Sequence, residues 1–489
     1  MKLRIVSLSI TLALATNCFS IQRSESAADS LLWSNTDLKL SPKKNFWGAS
    51  GMILGTNAGF WAFSKYALKA KFANISFATM KRNLSSEFVW DNDELSTNLI
   101  GHPYQGGLYF AAARANNYSF LESLPFAFIG SLSWEYLFEN EPPSINDLIS
   151  TPFAGAAFGE IMHRSSSLVL NESARGFNRA KREVAAFLID PPRGILRLIT
   201  GDAWRNNSIY TNKGFSTPYC LTAGLGLRHL AKPGERSNKV SMLTLNLNYR
   251  YNDPFEREEN IPFEYFRLNS SLNLGGNQPV LGELSFSGAL FGRNFEWKNQ
   301  KMLLGVFQNY RYIDMNQFAE NKGTDPFRMS ETVSYGIGSV YHLDLPFKET
   351  CLNAETQLSG IALGGVLTDY YNFGKRNYNY GFGYSFYALA ELKLKRFTWF
   401  TSVYGMYLLS PEGYENKDFS NIDQLHLDAM GDTGSSYVSV FKTELSLDIT
   451  DSLEIDINSA WYFRRAKYKY RPEFNDNLIG YGLSLNYSF

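Results

Sequence analysis

Apolar and polar residues alternate without interruption along the last stretch of the chain, residues 477–489. Every second side chain is apolar or aromatic, namely Ile479, Tyr481, Leu483, Leu485, Tyr487 and Phe489. The residues between them are small or polar. Because successive side chains of a β-strand point to opposite faces, this pattern predicts a strand with one apolar and one polar face. A transmembrane barrel strand has this form; an edge strand of a soluble β-sandwich is the alternative.

The same alternation runs through the whole carboxyl-terminal part of the chain. For example, Leu243, Leu245 and Leu247 alternate with Thr244 and Asn246. We predict twelve strands, an even number as in bacterial barrels, at residues 219–230, 239–251, 263–274, 280–295, 301–313, 331–345, 352–366, 378–394, 397–409, 437–449, 453–467 and 477–489. Residues 210–489 are therefore predicted to form a transmembrane antiparallel β-barrel.

The lengths of the predicted connections alternate as well. Residues 346–349, 395–396 and 450–452 are short gaps, whereas 314–330, 367–377 and 410–436 are long ones. Outer-membrane barrels have short periplasmic turns and longer outer loops. The phase predicts a barrel in the cell outer membrane with both the amino and the carboxyl terminus in the periplasm. Two connections fit this alternation less well: residues 252–262 are long for a periplasmic turn, and residues 275–279 are short for an outer loop.

Residues 42–205 show helical spacing instead, and we predict an all-α domain of about five helices. The predicted helices cover residues 43–71, 103–114, 120–138, a stretch that begins at Ser144, and 172–189. Ser144 is suited to cap its helix, since Asp147 follows three positions later. In the first helix Gly51, Gly55 and Gly59 recur every four residues, which predicts close approach of another helix.

The amino terminus carries an export signal. Lys2 and Arg4 precede an apolar core, so residues 1–20 are predicted to be a signal peptide. Cys18 leaves open the alternative of lipid attachment. Residues 21–41 are polar and irregular, and we interpret them as a tether. Export places the protein in a Gram-negative envelope.

Composition agrees with a barrel and excludes some partners. The chain of 489 residues contains 29 Tyr, 37 Phe and 38 Gly, with 44% hydrophobic residues. Many aromatic residues with modest overall hydrophobicity are typical of strands that face lipid on one side only. The formal net charge is +0, so nothing indicates binding to nucleic acid.

The helical domain holds the densest group of chemistry-bearing side chains: His102, Arg114, Glu122, Glu135, Asn146, Asp147, Glu160, His163 and Arg164. They lie in or near the motifs His102-Pro-Tyr-Gln-Gly-Gly, Ala111-Ala-Ala-Arg114, Trp134-Glu135-Tyr136, Pro143-Ser-Ile-Asn-Asp147 and Gly159-Glu160. These motifs resemble an uncharacterised bacterial family, a domain of unknown function in Gram-negative envelope proteins, over about residues 41–201. The resemblance implies no established activity and no catalytic residues.

A structural role explains most of these residues. Charged side chains that face inward on helices need partners, and we expect Arg114 to pair with Glu122 or Glu135. Asp147 is expected to meet a neighbouring helix end. The predicted polar network consists of Arg114, Glu122, Asn146, Glu160 and Arg164.

Two functional alternatives compete with that role. Glu160-x-x-His163 matches half of a helical di-metal carboxylate motif, but the second half is absent. We therefore predict no metal and no cofactor. His102 with Glu135 or Asp147 is a candidate acid–base site, although no Gly-x-Ser-x-Gly nucleophile motif accompanies it.

Together these patterns predict an integral outer-membrane β-barrel with an amino-terminal helical domain, which either plugs the lumen or lies in the periplasm. A non-enzymatic structural or pore role is favoured. The alternative is a lipid- or envelope-modifying hydrolase that uses the cluster of His102, Glu135 and Asp147. Expected partners are outer-membrane lipid and, through the terminal Phe489, the barrel assembly machinery. The oligomeric state, substrate and solute stay open.

Overall fold

The structure, a computed structural model, describes residues 43–91, 93–205, 217–234, 239–256, 260–316, 327–371, 376–415 and 431–489. The predicted signal peptide, Cys18 and most of the tether lie outside the described residues. The chain divides into two compact units. The barrel unit consists of Val89–Leu99 and Tyr219–Ser488. The helical unit consists of the described residues up to Phe88 and those within Ile100–Pro218.

Twelve strands form one closed barrel, as the sequence predicts. Each strand pairs antiparallel with the next along the chain, and β1 pairs with β12 to close the ring. The strands are β1 Tyr219–Ala231, β2 Lys239–Tyr251, β3 Phe266–Asn273, β4 Leu281–Trp297, β5 Gln300–Met315, β6 Phe327–Asp344, β7 Thr350–Leu367, β8 Tyr378–Leu394, β9 Phe397–Ser410, β10 Gly434–Asp448, β11 Leu453–Tyr468 and β12 Phe474–Ser488.

The alternation of side chains sets the two faces of the wall. On β12, Tyr481 and Leu485 point outward and are exposed, whereas Ser484 and Asn486 point into the lumen and are buried. On β2, Leu243 is exposed on the outside. The predicted faces of both strands are therefore confirmed.

The two rims of the barrel differ. We call the end at which β1 begins and β12 ends the terminal rim, and the opposite end the distal rim. At the terminal rim, residues 298–299, 345–349, 395–396 and 449–452 make short connections, and only 252–265 is long. The distal rim carries the long connections 316–326, 368–377 and 411–433.

The segment Val89–Leu99 packs against the strands of the barrel unit. Asn98 donates from Nδ2 to the hydroxyls of Tyr378 and Tyr380, at 2.8 and 2.5 Å. The Tyr378 hydroxyl donates to the carbonyl oxygen of Asp93 at 2.9 Å. The segment is thus held by buried tyrosines of β8.

These tyrosines belong to the outer side of the wall. Tyr378 and Tyr380 lie in the same alternating series of β8 as Phe382, Tyr384 and Phe386, which are exposed on the outside. The irregularity in the pairing of β7 with β8 places the extra residue in β7 and leaves β8 without a bulge, so all five side chains share one face. The segment Val89–Leu99 therefore contacts the outward face of the barrel near its distal rim. The sequence did not reveal this contact.

The described part of the helical unit contains eight α-helices: α1 Phe46–Ala62, α2 Phe77–Ser85, α3 His102–Ala115, α4 Phe120–Leu137, α5 Ile145–Ile149, α6 Gly155–Val169, α7 Gly176–Ile189 and α8 Pro191–Thr200. The expected number of about five is too low. The helices α2 and α8 were not predicted. The helix predicted from Ser144 is divided into α5 and α6 by a π-helical turn, Ser150–Ala154. None of the helices described is both long enough and apolar enough to cross a bilayer.

Local sequence explains where these helices begin. Ser119 and Glu122 form a reciprocal capping box at the start of α4. Ser144 accepts from the backbone N–H of Asp147 at the start of α5, as predicted. Asp190 caps α8 by accepting from the Arg193 N–H at 3.0 Å. The pair Pro191-Pro192 begins this helix rather than only ending the previous one.

Helices α3 and α6 approach each other at glycines. A Cβ atom on Gly106 would lie 1.7 Å from the carbonyl oxygen of Thr151, and one on Gly155 would lie 2.5 Å from the carbonyl carbon of Gly106. A Cβ atom on Gly159 would lie 2.6 Å from the Gly107 carbonyl oxygen. Side chains larger than hydrogen would force the two helices apart.

The glycines of α1 have no such role. Nothing in the described structure lies within 4 Å of a Cβ atom built on Gly51, Gly55 or Gly59. The predicted close approach of another helix at this stripe is therefore wrong. The spacing of small residues was the same as at a helix contact, but this face of α1 points away from its neighbours.

Candidate functional site

Glu160 is the centre of the polar interior of the helical unit. It lies on α6 and is fully buried. Arg114 of α3 donates to both carboxylate oxygens, at 2.7 and 3.2 Å, and Arg164, one turn further along α6, donates at 2.8 Å. Both oxygens thus bind guanidinium groups, which argues against Glu160 as a ligand of the di-metal half-motif.

Two predicted pairs are therefore wrong. Arg114 pairs with Glu160 rather than with Glu122 or Glu135. Glu122 lies outside the polar interior because its carboxylate is used by the cap of α4 and by Lys44, whose Nζ donates at 2.6 Å. These interactions, the Lys44 hydrogen bond above all, lower the pKa of Glu122 to about 2.

The acid–base candidates surround the start of α5. His102 Nε2 lies 3.7 Å from Asp147 Oδ1, and Asn146 donates to that same oxygen at 3.1 Å. Glu135 accepts from the backbone N–H of Ser144 at 2.7 Å. The structure thus brings His102 and Asp147 together and binds Glu135 to the neighbouring helix cap. A catalytic role for these residues stays a prediction.

A second buried cluster, which the sequence analysis missed, joins α6 to α8. Ser166 donates to Asp190 at 3.4 Å, and His163 Nδ1 lies 3.6 Å from Asp190 Oδ2. Arg193 donates to the hydroxyls of Ser166 and Ser167, at 3.1 and 2.5 Å. The available signal was Asp190 directly before Pro191-Pro192, a combination of cap and first-turn proline.

Burial sets the protonation of this cluster. It raises the pKa of Asp190 to about 6, although the charge of Arg193 opposes the shift. Burial also holds the pKa of His163 well below its usual value, and the charges of Arg114, Arg193 and Arg164 act in the same direction. At neutral pH His163 is therefore a neutral imidazole beside an ionised carboxylate.

The barrel lumen contains a polar cavity of about 660 Å³. Near the terminal rim it is lined by acidic residues such as Glu444, Glu454 and Asp456, and deeper inside by Arg228 and Lys442. These deep cations share one partner: Glu283 accepts from Arg228 at 2.8 Å, from Lys442 and from the Tyr462 hydroxyl at 2.7 Å. The cavity wall is thus strongly charged and largely paired.

Towards the distal rim the lumen contains a cluster of buried apolar side chains. We call this cluster the apolar layer: Leu230, Met242, Ile313, Met315, Phe327, Met329, Ile361, Val366, Tyr404, Met406, Leu408, Val438, Val440, Tyr462 and Leu478. Each is at most 4% exposed. They come from nine strands, including β1 and β7 on opposite sides of the ring. The layer therefore draws side chains from opposite sides of the barrel wall.

Residues 87–192 match a family model described as a domain of unknown function, DUF3943. The match confirms the resemblance inferred from the motifs, over a narrower range than residues 41–201. It includes Arg114, Glu160, His163 and Asp190, and it covers the segment Val89–Leu99, which contacts the barrel wall. A search of curated proteins found no match.

Solved structures resemble the barrel. The toluene transporter TodX of Pseudomonas putida is 9% identical, with 56% of this chain and 90% of that chain covered and a TM-score of 0.22. The NanC porin is 10% identical, with 53% and 98% covered and a TM-score of 0.25. The outer-membrane channel DcaP of Acinetobacter baumannii is 7% identical, with 56% and 97% covered and a TM-score of 0.21. Such likeness concerns barrel architecture and carries no argument about activity.

Proposed function

We propose that the protein is a non-enzymatic outer-membrane barrel that is closed at rest and anchors the helical unit in the envelope. The apolar layer is the observation that carries this proposal. Water and ions cross a barrel only where its interior is polar and open. In this proposal the apolar layer, whose buried residues come from nine strands, closes the lumen at its own level, and the polar cavity ends there.

The outer surface supports a place in the membrane. Outward-facing residues in the middle of the wall are apolar and exposed, as at Leu225, Leu358 and Leu483. Near the terminal rim exposed aromatic side chains such as Trp297 and Trp399 occupy the position of an interfacial girdle. This belt would be unfavourable in water and is favourable in lipid.

Orientation and assembly follow from the same proposal. In this proposal the terminal rim, which carries the short connections, the start of β1 and the end of β12, faces the periplasm, and the polar cavity opens to that side. Phe489, at the end of β12, serves as the signal for the assembly machinery. Deleting Phe489 should leave more protein in the periplasm and less in the outer membrane. Unchanged outer-membrane levels would remove this part of the proposal.

The closed state of the lumen is stable because the layer buries many apolar side chains. Fully burying one large apolar side chain contributes about 1.5–3 kcal/mol, and the layer contains fifteen such residues. Hydrating the layer would therefore require a rearrangement of the lumen rather than a thermal fluctuation. We expect a barrel that conducts only when the layer is removed.

Conductance across a planar bilayer tests the proposal. The wild-type protein should show no steady conductance. The triple variant Met315→Ser, Phe327→Ser and Met406→Ser replaces layer residues by small polar ones and should conduct. A control with the same chemistry on the outer face, Leu225→Ser, Leu358→Ser and Leu445→Ser, should stay silent. Steady conductance of the wild-type protein would refute the proposal.

A further inference from the structure

The surface of the helical unit is rich in large apolar side chains. Phe77 is 92% exposed, Trp47 82%, Ile199 76% and Leu121 68%. These residues lie on four different helices, α2, α1, α8 and α4. Water-soluble domains rarely expose so many large apolar side chains to this extent. The exposed surface is therefore unsuited to water.

Several charged and polar side chains are buried completely inside the same unit. Asn57, Glu135, Glu160, Arg182 and Asp190 are each at most 1% exposed. The interior also contains buried apolar residues such as Phe110 and Leu168. In water-soluble domains charged residues are almost never buried completely unless they are paired. Buried charges together with exposed apolar side chains are typical of helices in lipid, where polar residues face the interior of the bundle.

Single helices show both features together. On α1 the buried Asn57 donates to the Gly130 carbonyl at 3.2 Å and to the Ser133 hydroxyl at 2.8 Å, while Leu54 on the same helix is exposed. On α4 Ser131 is buried and Ile129 is 60% exposed. Each of these helices thus buries a polar side chain and exposes a large apolar one.

The helix contacts are also of the membrane type. Gly106 and Gly155 let the backbones of α3 and α6 touch, as small residues do where helices associate in lipid. The position of one lysine agrees with the same environment. Lys65, directly after α1, lies over the ring of Trp61 at 5.0 Å, an arrangement suited to the boundary between acyl chains and headgroups.

The barrel unit supplies an independent argument. The segment Val89–Leu99 is bound to the face of the wall that carries the exposed apolar residues Phe382 and Tyr384. This segment leads directly into α3, which begins at His102. Val89–Leu99, which belongs to the barrel unit, therefore lies on the side of the wall that faces lipid.

We propose that the outer-membrane bilayer covers the apolar surface of the helical unit, so that this unit is embedded in lipid rather than dissolved in the periplasm. The proposal rests on the barrel being an outer-membrane protein. It assigns the DUF3943 region a lipid-embedded environment and gives its buried charges a reason: in lipid, polar side chains must find partners within the unit.

Collision measurements on spin labels test the proposal in the full-length protein reconstituted in phospholipid vesicles. Cys18, Cys220 and Cys351 are first replaced by serine. One nitroxide is then attached through Leu54→Cys, Ile129→Cys or Ile199→Cys. Two controls define the collision frequencies expected in lipid and in water. Leu483→Cys on the outer face of β12 represents lipid, and Asp451→Cys in an exposed turn represents water. Molecular oxygen reports lipid, and a water-soluble nickel chelate reports water.

The three helical-unit labels should collide frequently with oxygen and rarely with nickel, as the label at Leu483 does. Nickel accessibility equal to that at Asp451, with the Leu483 label still in lipid, would overturn the proposal and leave the barrel assignment intact. Protection from both reagents would show that a protein covers this surface and would also overturn it. A Leu483 label in water would instead refute the outer-membrane assignment itself.

A pair of substitutions provides a second readout. Ile129→Glu places a charge on the exposed apolar side of α4 and should lower the membrane-assembled fraction by roughly tenfold, since a carboxylate is strongly unfavourable in lipid. Ile129→Phe keeps the side chain apolar and should assemble normally. Equal assembly of the two variants would contradict a lipid environment at this position.

Discussion

Glu160 shows how strongly one residue depends on its environment in this protein. Its carboxylate is fully buried and binds two arginines, each of which keeps part of its side chain accessible, 18% for Arg114 and 13% for Arg164. The carboxylate therefore neutralises two converging cations at the contact between α3 and α6. Removing its charge would leave those cations with too little compensation.

We expect Glu160→Gln to lower the stability of the helical unit by roughly 3 kcal/mol, near the lower end of the range for breaking a buried ion pair, because both arginines retain some exposure. Resistance of the helical unit to limited proteolysis measures the effect. Glu122→Gln removes an exposed carboxylate and is the matched control, with little expected change. If both variants resisted proteolysis like the wild type, the central role of Glu160 would be disproved.

Asp190 predicts a pH dependence. Its pKa rises from 3.8 to about 6 on folding, so between these values the folded state binds more protons than the unfolded state. Its contribution to stability is complete below pH 4 and is lost as the pH rises through 6. The lowered pKa of His163 acts oppositely, since its contribution is lost as the pH falls below about 6.5.

Asp190→Asn retains an oxygen that can cap α8 but removes the titration. The stability of this variant should therefore rise with pH between 4 and 6.5 more steeply than that of the wild type, because only the His163 contribution remains. Pulse proteolysis at a series of pH values measures the slopes. Asp202→Asn, at an exposed carboxylate of the same unit, is the control. An unchanged slope for Asp190→Asn would contradict the assignment.

At the scale of elements, the strands were predictable because each one carries its own signal. Alternation by two positions is imposed by lipid on one side and the lumen on the other, and it needs no knowledge of distant residues. Residues 239–251 and 378–394 were placed with the bounds that β2 and β8 have. The capping box of α4 and the Ser144 cap of α5 were local signals of the same kind.

Other elements depended on partners far away in the sequence. Asn98 binds tyrosines at positions 378 and 380, and nothing near Asn98 indicates them. Arg114 pairs with Glu160 rather than with Glu122, although Glu122 is closer in the sequence. The packing of α3 against α6 determines which carboxylate lies next to Arg114. Glycine spacing alone could not identify the helix contact either. The glycines spaced by four residues in α1 contact no other helix of the described structure, whereas Gly106 and Gly155 lie where α3 and α6 touch.

The glycine contact yields a prediction for the element scale. Gly106→Ala would place a Cβ atom against the backbone of Thr151, so α3 must shift, and we expect a loss of about 1–3 kcal/mol, as for overpacked sites. Gly55→Ala lies in open space within α1 and should instead gain up to about 1 kcal/mol from helix propensity. Hydrogen exchange of α3 and α1 amides measures both changes. Equal effects would contradict the contact.

At the scale of the whole molecule, the two units each hide polar groups and present apolar surface. The barrel carries Arg228, Glu283 and Lys442 inside and leucines outside; the helical unit encloses Glu160 and exposes residues such as Ile129. Alternation predicted which barrel residues face inward. It did not predict that buried apolar residues of nine strands would form one cluster, since each of those strands supplies only a few of them.

Closure of the lumen is the central claim, and thiol reactivity tests it most directly. Cys220 is free and lines the polar cavity. With Cys18 and Cys351 replaced by serine, a charged, water-soluble thiol reagent should modify Cys220 readily. In a second variant Cys220 is replaced by serine as well, and Met406→Cys introduces the only thiol, which lies within the apolar layer. The account predicts that this thiol stays unmodified in the folded protein and reacts once the barrel is unfolded; modification in the folded protein as fast as at Cys220 would show that water fills the lumen and would contradict the account.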